Sequence, residues 1–354
     1  MTLSLTLSTT ERVLLCLALF VIIIFGIRMT GTVMTIILVA LVLALLLYPA
    51  TTWLRRRGLP YPAAVGVVTI AAALCIVLFV YLTVASFNVI IADMPQYQSE
   101  LALRLSDITT LLSAHGISTG KLLSSTPDLS NIIPALLSSL MNLGADLMDI
   151  FFVAVTTFFM LLEAPPLIAR AGAMLKGSPE KFRHLAKMSG FVVDFMVVRT
   201  ETNFVHGVLF GGALAVMGVH AAILWGILTF VLGYIPYFGL ILAAIPAIFF
   251  AWLQFGIWGA VAVIAMVCIL NLVVENPVFS YLAARKFEIP ALVVILSVIF
   301  WGWLLGLAGM LFSIPFTLMV VTLFSFSDEF AWINTLLGLD PLFAEKESDP
   351  TGGA

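Results

Sequence analysis

Apolar residues in this chain fall into long runs separated by short polar breaks. The runs are Val13–Ile27, Thr32–Leu47, Pro62–Phe87, Leu143–Leu162, Phe204–Met217, Ala221–Tyr234, Leu240–Leu253, Ile257–Val274, Pro290–Trp303 and Leu304–Phe326. A helical crossing of a bilayer takes about 20 residues at about 1.5 Å each. Several runs hold only about 14 residues, roughly 21 Å against a hydrocarbon core of about 30 Å. The pattern predicts an all-α, polytopic membrane protein of about eight spans, with one or two adjacent short runs folded as re-entrant hairpins buried in protein.

Between the runs, two segments carry helical spacing of another kind. Leu101, Leu105, Ile108 and Leu112 recur on one helical face, and Ile132, Ile133, Leu136, Leu137 and Leu140 do so beyond a break at Ser118–Ser130. These predict amphipathic helices that cap the membrane part, or serve as a gate or oligomer contact. Ser178-Pro179-Glu180 is a helix start inside the polar segment that follows the fourth run. The resulting layout has N-terminal membrane helices over 1–87 and an extracytoplasmic amphipathic segment over 88–142. A C-terminal membrane domain over 143–327 contains a cytoplasmic helical loop at 163–203, and an acidic, disordered tail occupies 328–354.

Composition agrees with the runs. Charged residues make up 10% of the chain and hydrophobic ones 62%, whereas a soluble domain carries roughly a quarter charged residues. Mean hydropathy is +1.17. From Thr202 to Val274 there is no Asp, Glu, Lys or Arg at all. The lipid bilayer is therefore the first partner, and the few charges and helix breakers are where function is to be sought. The net charge of -3 and the absence of a basic stripe argue against nucleic acid. Cys16, Cys75 and Cys268 each stand alone in apolar sequence and read as small buried or lipid-facing residues. The first run resembles a signal peptide in length, but Arg28 and Gly31 lead directly into the second run, which favours an uncleaved helical pair.

Lys and Arg set the expected orientation. Arg55, Arg56 and Arg57 follow the second run, and Arg170, Lys176, Lys181, Arg183, Lys187 and Arg199 follow the fourth, so both loops are expected on the cytoplasmic side. Asn88–Asn142, with only Arg104 and Lys121, then lies outside, and Arg285 with Lys286 puts the Glu275–Glu288 loop inside. Both termini are expected in the cytoplasm.

Enzymatic and nucleotide chemistry find no foothold. Gly116-Ile-Ser-Thr-Gly120-Lys121 imitates a phosphate loop but has one residue too few between the glycines and ends in Leu122. No hydrolase or protease motif is present, Asp146 and Asp149 read as the acidic start of a helix, and His115, His184, His206 and His220 lack metal-ligand spacing. No cofactor is expected.

Three signals remain. Ile235-Pro236-Tyr237-Phe238-Gly239 and Ser313-Ile314-Pro315-Phe316 break apolar sequence, and discontinuous helices of this kind either line transport pathways or simply kink. The two share an Ile-Pro-aromatic core, which fits corresponding points of a weak internal repeat. Gly207 and Gly211, and Gly302, Gly306 and Gly309, place small residues on single helix faces where backbones can pack closely. Arg199, Glu201 and Asn203 precede the uncharged stretch, and Glu275-Asn276-Pro277 ends it. An inward-facing carboxylate there needs a partner or a proton, whereas one at the headgroups is an anchor.

The stretch Trp225-Gly226 through Ile235-Pro236-Tyr237-Phe238-Gly239 and Ala243-Ala244-Ile245-Pro246-Ala247 resembles the signature of the autoinducer-2 exporter family of bacterial membrane proteins. Glu275-x-Pro277 and Phe300-Trp301-Gly302-Trp303-Leu304-Leu305-Gly306-x-x-Gly309-Met310 with Pro315 resemble it as well. The likeness covers Arg199 to Phe326 closely and the N-terminal part in layout. It implies a secondary transporter in the bacterial inner membrane, assembled as a homo-oligomer, that exports a small polar metabolite such as the quorum-sensing signal autoinducer-2. The alternative it implies is a sodium or lithium ion/proton antiporter, with Glu275 as the exchanging carboxylate. A membrane scaffold that uses the outer helices for partners is the reading outside transport.

Overall fold

The computed structural model describes residues 9–114, 143–174, 179–277, 289–324 and 335–338. Among these, every regular element is helical. The second amphipathic helix expected near Ile132–Leu140, the Gly116–Lys121 motif, Arg285 with Lys286, and the acidic tail from 339 onward lie outside the described residues.

Five helices among the described residues are long and apolar enough to cross a membrane. They are α2 (Gly31–Arg56), α3 (Tyr61–Ala92), the Met148–Met174 part of α5 (Leu143–Met174), Ile257–Glu275, and Ala291–Leu311. Shorter apolar helices accompany them, which accounts for the short runs in the sequence. Leu74, Val77, Leu78 and Tyr81 on α3, and Phe151 and Phe159 on α5, are exposed apolar side chains. That distribution inverts a soluble protein and fits faces turned to lipid.

α2, α3 and α5 pack together around Ala44, Val65 and Leu161, and the Tyr61 hydroxyl donates to the Leu161 carbonyl at 2.6 Å. α1 (Thr9–Met29) leans on the bundle with the Arg28 guanidinium 4.4 Å from the centre of the Trp303 ring. α4 (Met94–Ala114) docks Met94, Tyr97 and Leu101 into a core with Phe210, Leu214 and Trp225. Of its expected stripe, Leu101 is buried there and Leu105 packs against it. The Tyr97 hydroxyl lies 2.8 Å from Nδ1 of His220, and Asp93 Oδ2 lies 3.5 Å from the same nitrogen. Arg104 Nε donates to the Leu253 carbonyl at 3.3 Å. Burial pushes the Tyr97 phenol up to about 12, so it remains a neutral donor.

α6 (Pro179–Met217) begins at the expected helix start and joins two segments that the sequence separates. The polar segment and the apolar run after it form one helix of 39 residues, because nothing between Pro179 and Met217 breaks the backbone. α5 likewise runs on past Leu162, through Pro165 and Pro166, to Met174. Within 163–203, expected as a helical loop, the described residues belong to α5 and α6, and 175–178 lie outside them.

The C-terminal half is built from hairpins. α7 (Ala222–Leu232) runs back along α6, and α8 (Gly239–Phe255) turns at Gly256 into α9 (Ile257–Leu270). α10 (Ala291–Leu311) is interrupted at Gly306, and α11 (Ser313–Phe324) folds back on its first part. The Trp301 indole donates to Thr317 Oγ1 at 2.9 Å, and Thr317 donates to Ser297 Oγ at 2.9 Å. The two hairpin turns match. Gly256 has φ 68° and ψ -159°, Gly306 has φ 67° and ψ -146°, and both dihedral pairs are open only to glycine. Three residues later, Gly259 faces the Ala251 carbonyl and Gly309 faces the Trp301 carbonyl, each too closely to admit a Cβ. The internal correspondence foreseen at the Ile-Pro pairs thus falls on Gly256 and Gly306.

Candidate functional site

Arg199, Asn203 and His206 stand at helical spacings of four and three on α6, so they share a face, and Gly207 and Gly211 continue it. α7 lies against this face at backbone distance. A Cβ on Gly207 would meet the Gly226 carbonyl at 2.7 Å, and one on Gly211 would meet Gly226 Cα at 3.2 Å. Further along, the Asn203 side chain occupies the space where Gly233 lacks a Cβ, at 2.6 Å from its ideal position. Glycine on α7 thus lets a polar side chain enter the seam between two apolar helices.

α7 ends at Leu232, and the backbone then turns sharply. Phe238 N–H donates to the Pro236 carbonyl at 2.8 Å and Gly239 N–H to the Ile235 carbonyl at 3.0 Å. Tyr237 holds φ 64°, a left-handed value that costs a non-glycine residue about 1–2 kcal/mol. Gly239 sits on the Leu232 carbonyl with no space for a side chain. From the other side, α9 continues as one wide π turn, Asn271–Glu275. Single π turns of this kind often accompany functional sites. It brings Glu275 to Arg199, whose Nη1 donates to both carboxylate oxygens at 2.8 and 3.1 Å. The side chains are 7% and 18% exposed. His206 Nε2 lies 3.2 Å from the Leu270 carbonyl at the start of the same turn.

These elements enclose a cavity of about 150 Å³, lined by Arg199, His206, Thr229, Gly233, Ile235, Tyr237, Gly239, Leu240, Asn271, Glu275 and Asn276. Arg199 Nε and both amide atoms of Asn203 are buried without a hydrogen-bond partner. Tyr234 links this region to the other hairpin. Its hydroxyl is 2.7 Å from Thr200 Oγ1, and its ring centre is 6.5 Å from that of Phe312, just before α11.

The residues singled out in the sequence divide accordingly. Arg199, Tyr237, Gly239, Glu275 and Asn276 line the cavity, and Pro236 and Asn203 are buried beside it. Glu201 is exposed on another face of α6, and Pro277 is exposed beyond the π turn. Pro315 is buried in the first turn of α11, where proline fits a helix start, so it breaks no helix. Gly302 and Gly309 pack closely, against Met310 and Trp301 respectively. Gly306 meets nothing within 4 Å and serves as a turn instead of a packing surface. Sequence reasoning missed His206, Thr229, Gly233 and Asn271. The spacings Arg199-Asn203-His206 and Asn271-Glu275, each on one helical face, were the signal that could have found them.

A multi-pass helical bundle in which broken helices surround a charge-compensated polar cavity has the build of a membrane transporter. The chain belongs to the AI-2E family of transporters, whose sequence profile matches residues 17–327. It is 31% identical over 310 residues to the AI-2 transport protein TqsA of Escherichia coli, covering 87% of this chain and 90% of the relative. It is 28% identical over 312 residues to the putative transport protein YhhT of Escherichia coli, covering 87% and 89%. A putative transport protein of Haemophilus influenzae is 29% identical over 335 residues, covering 93% and 96%.

Proposed function

We propose that this transporter exports a small polar metabolite such as autoinducer-2 across the bacterial inner membrane, through the cavity bounded by Arg199, Tyr237, Glu275 and Asn276. The observation that carries this reading is a polar, charge-compensated cavity where the α7–α8 break meets the π turn. Each unpartnered buried polar atom costs about 1–3 kcal/mol, and a fold retains that cost where a passing ligand supplies the missing partners. A cavity of about 150 Å³ fits a small molecule better than a large one. The name of the relative TqsA supports autoinducer-2 as the first compound to try. Glu275 meets its partner in Arg199, which argues against a lone carboxylate trading a metal cation for a proton. Cytoplasmic termini and assembly as a homo-oligomer belong to the same reading, the first supported by the arginines at 55–57.

The test is flux. Purified protein reconstituted into vesicles loaded with autoinducer-2 should release it faster than protein-free vesicles, in proportion to protein. Release at the protein-free rate would remove this substrate.

A further inference from the structure

His206 lines the cavity and is an ionisable residue whose chemistry the pathway has not used. It is 3% exposed, stands two turns along α6 from Arg199, and faces the start of the π turn that carries Glu275. The charged groups acting on it are the Glu275 carboxylate and the Arg199 guanidinium. Tyr237, from the α7–α8 break, is the other titratable side chain lining the same cavity. In the neutral tautomer that donates Nε2–H to the Leu270 carbonyl, Nδ1 keeps a free lone pair.

We propose that His206 carries the proton that drives transport. This rests on the reading of the cavity as the substrate pathway. A proton from water at the cavity mouth forms the Nδ1–H bond, and the same bond gives the proton up to water on the opposite side, so nothing is oxidised or reduced. Glu275 is the weaker choice for this role. Protonating it would strand the Arg199 cation in a site where only 7% of its side chain meets solvent. Protonating His206 instead sets two cations against one carboxylate. The imidazolium then competes with Arg199 for Glu275 and loosens the tie between α6 and the π turn. Imidazole is also the side chain whose ordinary titration falls in the physiological range.

The experiment uses the full chain in vesicles, with autoinducer-2 as the probe. For one proton exchanged per molecule, an imposed gradient of one pH unit should sustain a concentration ratio of about tenfold. H206Q keeps an amide donor for the Leu270 carbonyl but cannot titrate, and it should bring the ratio to unity while the protein keeps its elution volume and melting temperature. H220Q, altered at the α4 contact, should keep the tenfold ratio. A ratio that survives H206Q, or that disappears equally in H220Q, overturns the proposal, as does a parent protein indifferent to the gradient. Failure of the parent to move autoinducer-2 at all would count against the pathway reading. In that event nitrogen NMR of histidine-labelled protein decides the present point. The signal absent from H206Q should change with protonation as the pH is lowered while the protein stays folded; a signal that stays neutral over the whole pH range in which the fold persists overturns the proposal on its own.

Discussion

The ion pair between Arg199 and Glu275 should hold α6 to the π turn, and its worth can be worked out from its geometry. One guanidinium nitrogen serves both carboxylate oxygens at 2.8 and 3.1 Å, with the side chains 7% and 18% exposed. Two unit charges about 4 Å apart attract by about 4 kcal/mol at an effective dielectric constant near 20. Removing one partner leaves the other charge mostly buried and should cost about 3–5 kcal/mol. Glu275 borders the cavity, so water recovers part of this, and we expect about 2–4 kcal/mol for either single variant, Arg199→Met or Glu275→Met. The double variant removes both charges and fills the space with apolar atoms, so it should lie within about 1 kcal/mol of the parent. A double-mutant cycle from denaturant unfolding in detergent reads the coupling directly. Coupling of about 2 kcal/mol or more supports the account. Values below about 0.5 kcal/mol, the range of exposed pairs, would mean that water screens the pair and that it does not fasten α6.

Other expectations follow from the packing. Gly226→Ala places a Cβ 2.7 Å from the Gly207 carbonyl and must spread α6 from α7. It should destabilise by about 1–3 kcal/mol in a thermal melt, while Gly212→Ala, with nothing within 4 Å, should be neutral or slightly stabilising. Gly306→Ala meets open space yet inherits a backbone conformation open only to glycine, so its melting temperature should fall by an amount reflecting about 1–3 kcal/mol of strain. Folding favours the neutral Tyr97 phenol, so its contribution is complete below the ordinary value near 10 and is lost as pH rises toward about 12. Alkaline titration by phenolate absorbance should show a step near pH 12 that Tyr97→Phe removes, and α4 should become sensitive to protease above pH 10.

The apolar runs made the helices and their membrane setting legible, because no other solvent accommodates such sequence. The glycine face of α6 was legible too, although only the fold supplies its partner, Gly226. Arg199, Asn203 and Glu275 stood out as polar groups at the edges of apolar sequence, but their meeting across 76 residues depends on the α6–α9 packing and the π turn. His206 stayed hidden because one histidine in a long apolar run carries no periodic signal until Arg199 and Asn203 are placed on the same face. The proline signals were only half informative. At Pro236 the break is enforced equally by Tyr237 at φ 64° and by Gly239 seated on the Leu232 carbonyl, so replacing the proline alone should not restore a continuous helix. At Pro315 the ring merely starts α11, and the real interruption is Gly306, which in the sequence looked like one more small packing residue.

The claim that substrate crosses the cavity beside the Arg199–Glu275 pair is tested most directly by chemical blockade from within it. Cys16, Cys75 and Cys268 are replaced, Asn276→Cys is introduced on the cavity wall, and the protein is reconstituted into vesicles with autoinducer-2. Reaction of that thiol with a bulky reagent should stop flux, and autoinducer-2 should slow the reaction in proportion to its concentration. Full modification with flux undiminished, or modification at the same rate whether or not autoinducer-2 is present, would place the pathway elsewhere.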